Sequence, residues 1–114
     1  MDKLNLKYTA IKVDEIEQVN KVPIENCIAD TSISMLALFI QKGLIDDNGV
    51  HGVSKHVAMN TIDEYLEEHD KDELVLDIME ALINGGFLSR QVNIQMLRET
   101  MKKKMKEISK QMEI

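Results

Sequence analysis

Along residues 3–9, "KLNLKYT", apolar and polar side chains alternate, with Leu4, Leu6 and Tyr8 on one side and Lys3, Asn5 and Lys7 on the other. A period of two predicts a short strand or extended arm. The period then lengthens. Val13, Ile16 and Val19 follow Thr9, a residue suited to an N-cap, and their spacing predicts a helix to about Asn20. Pro23 suits a first helical position, and Ile24, Cys27 and Ile28 fall on one face of a short helix behind it.

The segment "SMLALFIQKGL" (34–44) is apolar nearly all the way round. Ser32 is a natural cap for a helix through it, and Gly43 a natural left-handed terminator. Ile33, Leu36, Phe39 and Ile40 form one stripe, while Met35 and Leu38 lie on other sides. A helix apolar on several faces is a central one. At this length it falls well short of the roughly 20 residues that a bilayer span needs. Leu36, Phe39 and Ile40 are expected to face inward, which leaves Met35 and Leu38 as candidates for contact with a partner or a second copy.

The run "DDNGVHG" (46–52) predicts a loop. Ser54 then caps a helix to about Glu67, with Ala58, Ile62, Tyr65 and Leu66 along its apolar side. Asp70 and Glu73 match a capping box ahead of Leu74, Val75, Ile78, Met79 and Leu82, and Gly85-Gly86 closes that helix. From Ser89 onward the pattern changes. Leu97, Met101, Met105, Ile108 and Met112 recur every three or four residues as a narrow seam, surrounded by Arg98, Lys102, Lys103, Lys104, Lys106 and Lys110. The expected fold is therefore all-α: a compact bundle of about five helices over residues 1–88 with an extended N-terminal arm. Residues 89–114 would form a protruding, basic amphipathic helix.

Charge sharpens that division. The net charge of −6 conceals 7 Lys/Arg against 17 Asp/Glu in residues 1–89, but 7 against 3 in residues 90–114. An acidic body with a basic tail points to a tail that meets something, either a partner or the body of a neighbouring copy. The eight methionines read in two ways, as core filling and as adaptable contact surface. One cysteine excludes an internal disulfide, and the opening residues lack the pattern of a secretory signal, which predicts a cytoplasmic protein.

Catalytic or metal chemistry finds little footing. His51, His56 and His69 are not paired at ligand spacing, and Cys27 has no second cysteine for a zinc site. The "DDNG" run fails as a calcium loop: with Gly49 at the sixth position, Leu44 and Lys55 occupy the first and twelfth, where acids are required. Gly85-Gly86 lacks the further glycine or lysine of a phosphate cradle. The acidic run 63–73 reads as helix flanks and a capped turn. No enzyme activity, cofactor or metal is expected. Lysines clustered on one helix can bind nucleic acid, but the acidic body and the methionine seam, which needs apolar cover, favour a partner helix instead.

The order of segments resembles a known family. "LNLKYTAIKVDEIEQVNKVPIENCI", "SISMLALFIQKGL" and "AMNTIDEYLEEHDKDELVLDIMEALINGGFL" are similar to the small tail assembly chaperones of long-tailed bacteriophages, over residues 4–88. The likeness rests on an N-terminal strand leading into a Thr-Ala-Ile helix, an apolar "LxLFxxKGL" helix, an "ID-YL" helix and an "EL---IMEAL---GF" helix. It implies a packed helical fold and a non-enzymatic role. Such chaperones coat the aggregation-prone tape measure protein, recruit tail tube subunits, and leave before the tail is complete. The implied partners are the tape measure protein, with tail tube protein as a second candidate, and further copies of the chain. The implied place of action is the bacterial host cytoplasm rather than the finished virion. Two features depart from the family. The N-terminal hairpin is shorter, and the second domain of the longer frameshifted product is missing, which leaves tube recruitment without a place on this chain. The lysine-rich tail has no clear counterpart.

The resemblance and the seam together single out Met35, Leu38, Leu97, Met101, Met105, Ile108 and Met112 as partner-binding candidates. Two other readings stay open. One is a small helical regulator that binds a host protein or nucleic acid through its basic C-terminal helix. The other is a structural subunit retained in the virion.

Overall fold

The structure is a computed structural model in which residues 4–88 are described. Five helices follow in order: α1 (Ala10–Asn20), α2 (Ile24–Ala29), α3 (Ile33–Gly43), α4 (Lys55–Tyr65) and α5 (Lys71–Asn84). The all-α architecture expected over these residues is present, and β structure among them is limited to the isolated bridges Leu6↔Leu44 and Ile45↔His51. The expected C-terminal helix falls outside the described residues.

Helix starts follow local chemistry. The side chains of Thr9, Ser32, Ser54 and Asp70 each accept a bond from the backbone N–H three residues on, satisfying one of the donors a helix leaves free. The capping box at α5 is modified. Asp70 takes the Glu73 N–H at 2.8 Å, while the Glu73 carboxylate lies 2.7 Å from His69 Nδ1. Pro23 is the cap of α2 rather than its first residue, because its ψ of 158° is extended. At the end of α5, Phe87 N–H bonds Leu82 O and Gly86 N–H bonds Ile83 O, with Gly86 at φ 86°. That paired closure needs a left-handed residue, which glycine adopts without strain.

α3 is the axis of the core. Leu36, Phe39 and Ile40 have no exposed surface, and Ile16, Cys27, Ala58, Leu74, Ile78 and Leu82 pack around them, equally shielded. Each large apolar side chain so buried contributes about 1.5–3 kcal/mol relative to exposure. The stripe turns, however, at the start of α3. Ile33 is 40% exposed, whereas Met35, expected on another side, is 8% exposed. The reason is α1, whose Asn20 amide reaches Met35 Sδ at 3.6 Å and covers that side instead.

The N-terminal arm alternates as its period requires. Tyr8 is buried, and Leu4 and Leu6 pack against the core. The arm is held to the end of α3 by Lys7 N–H to Gly43 O and Ile45 N–H to Asn5 O, both 2.9 Å. Tyr8 donates its hydroxyl to Phe39 O at 2.8 Å and meets the Phe39 ring edge-on. This arm changes the reading of Gly43. The residue is helical, not left-handed, and a Cβ placed on it would lie 2.5 to 2.8 Å from Cζ, Cε1 and Oη of Tyr8. Glycine stands there to admit the ring. The helix itself ends at Leu44, whose backbone is extended.

Two further side chains depart from their expected faces. Val19 is 64% exposed and Leu66 37% exposed. Leu66 is the C-cap of α4, which ends at Tyr65 rather than Glu67; it keeps helical geometry, with its N–H on Ile62 O. Val19 borders an opening between α1 and α3.

Candidate functional site

α1 and α3 run antiparallel. Glu15 Oε2 lies 3.0 Å from Lys42 Nζ near one end, and Asn20 meets Met35 near the other. Hydrogen bonding to the Lys42 ammonium holds the Glu15 carboxyl below the usual carboxylate range. Around the Asn20–Met35 contact lies an open groove of about 290 Å³, bordered by the end of α1, the turn between α2 and α3, α3 itself and Lys55 at the start of α4. Val19, Met35, Ala37 and Leu38 give it an apolar lining, with Asp30, Ser34 and Lys55 among its polar residues. The volume corresponds to about ten waters at their liquid share, enough for one or two long apolar side chains. Such a site suits reversible apolar contact.

Of the partner-binding candidates, Leu38 is half-buried and lines this groove. Met35 borders it too, although most of its side chain is engaged in the core. Leu97, Met101, Met105, Ile108 and Met112 lie outside the described residues. Val19 belongs to the groove and was not expected there. Its spacing pointed the other way, since it placed Val19, next to the last residue of α1, on one side with the buried Val13 and Ile16.

The titratable groups elsewhere are held in structural contacts. Cys27 is fully buried with Sγ 3.6 Å from Val22 O, and burial, followed by the charge of Glu17, pushes its thiol pKa up. His51 Nε2 lies 2.8 Å from Lys7 O, and His56 Nε2 lies 3.3 Å from the Asn60 amide. His69 stacks on Tyr65 with ring centroids 4.4 Å apart. A buried polar tie joins α4 to α5, where Tyr65 donates to Asp77 Oδ2 at 2.6 Å. Among the described residues, no group of three or more His, Cys, Asp or Glu is placed to hold a metal ion. Likewise, none of the described helices is long and apolar enough to cross a membrane.

Compared with protein families, curated proteins and solved structures, the chain matches none.

Proposed function

We propose that the chain is a non-enzymatic assembly chaperone for the tails of long-tailed phages. It holds the tape measure protein in solution while the tail is built and is released before completion. Tail tube subunits are a second client, and the work is done in the host cytoplasm. The observation that carries this reading is the α1–α3 groove, a concave site where the exposed side chain of Val19 and the half-buried Leu38 face solvent together. An exposed apolar site on a small domain marks a contact surface, and the methionine beside it adapts to varied shapes. The segment order described above supplies the choice of client.

Co-expression tests it. Wild-type protein is expected to keep the tape measure protein soluble, and Val19→Glu to reduce that effect while leaving the circular dichroism spectrum unchanged. A tape measure protein that precipitates equally with and without the wild-type chain would overturn the proposal. A salt-sensitive shift of duplex DNA instead would favour the regulator.

A further inference from the structure

The groove between α1 and α3 has an apolar lining, and the chain carries one long apolar seam outside the described body. We propose that the groove is the docking site of this chain's own C-terminal segment, residues 97–112, which enters it with side chains of the Leu97, Met101, Met105, Ile108, Met112 seam.

Three observations fix that occupant. The first is size: a groove of about 290 Å³ accepts one or two long flexible side chains, and methionine fills irregular space at little strain. The second is charge. Residues 4–88 hold 6 Lys/Arg and 16 Asp/Glu, whereas residues 90–114 hold 7 and 3, so body and segment attract. The third is reach. α5 ends beside the arm, since a Cβ on Gly85 would sit 3.2 Å from Tyr8 O. From there α1 leads to the groove, and its rise from Ala10 to Val19 is about 14 Å. Eight residues separate Leu88 from Leu97. A connection of that length covers about 12 Å as helix and about 16 Å r.m.s. as coil. A tether matched to its span gives the highest effective concentration, on the order of millimolar, which favours the chain's own segment over that of a second copy.

Docked this way, the segment occupies the site that an incoming client helix would use, and the client displaces it. The displacement rests on the chaperone reading, whereas the docking does not.

The test uses the full chain without client. A nitroxide is attached at Ser34→Cys, on the exposed lip of the groove, while native Cys27 stays buried and unlabelled. Methionine methyls carry ¹³C and are assigned by single Met→Leu substitutions. In dilute, low-salt solution, one or more of Met101, Met105 and Met112 is expected to lose most of its signal to the nitroxide. Adding Val19→Glu, or raising the salt, should restore it. Full signal from all three methyls at low salt would overturn the proposal. So would loss seen only when label and isotope are on different molecules, since the occupant would then be a second copy. Either failure leaves the co-expression result untouched.

Discussion

Replacing Gly43 with alanine separates two explanations for a glycine at the end of a helix. A left-handed terminator would lose stability on any Cβ, whatever surrounds it. Here the backbone is helical, and the obstacle is the Tyr8 ring, three of whose atoms would lie 2.5 to 2.8 Å from the new carbon. That ring cannot swing away freely. Its hydroxyl is bonded to Phe39 O at 2.8 Å, and its edge sits against the Phe39 ring. Overpacking of this kind costs about 1–3 kcal/mol, offset by up to about 1 kcal/mol from the helix propensity of alanine over glycine. Gly43→Ala should therefore destabilise wild type by up to about 2 kcal/mol if the whole propensity gain is realised. In a Tyr8→Leu background the offending atoms are gone, and the same change should become neutral or stabilising. Urea titrations of the four proteins, followed by far-UV circular dichroism, give the coupling directly. An equal loss in both backgrounds would refute the steric account.

Phe39→Ala should destabilise by about 3–5 kcal/mol, because the ring has no exposed surface and props Tyr8; a loss below about 1 kcal/mol in urea would place α3 outside the core. Tyr65→Phe should cost about 1–2 kcal/mol by removing a buried donor from Asp77, and a melt unchanged from wild type would contradict that tie. Glu15 has a depressed carboxyl pKa in the folded chain, so its contribution is present above the usual carboxylate range and fades as pH falls through the lowered value. Acid titrations should accordingly show Glu15→Gln losing less stability than wild type on acidification, whereas parallel curves would mean that the Lys42 pair is inert.

What could be read from the sequence was local. The four side-chain caps were legible because each involves residues three apart in the chain, and the arm because its period of two survives docking. The burial of Leu36, Phe39 and Ile40 followed from their shared helical face. What escaped were contacts across the fold. Gly43 looks like a terminator until Tyr8, thirty-five residues earlier, is seen against it. Periodicity likewise gives the phase of a helix face but not where its neighbour stops covering it, which is how Val19 and Ile33 came to be exposed and Met35 enclosed. Charge alone would assign Asp77 to solvent, yet it is buried with the Tyr65 hydroxyl donating to it, a contact that helix periodicity does not reveal. The groove was half legible, through Leu38; its other walls come from the end of α1, the turn before α3 and Lys55, which only the fold brings together.

The solitary thiol of Cys27 gives the chain a built-in clock. Because Sγ has no exposed surface and its ionisation is disfavoured, a thiol reagent can reach it only when the corner formed by α1 and α2 opens. Under excess reagent, the labelling rate relative to that of an exposed thiol measures how often that corner opens. With no other cysteine in the sequence, the signal comes from one place. Anything that clamps α1 onto α3 would slow it, so ligation can be timed without a label on either partner.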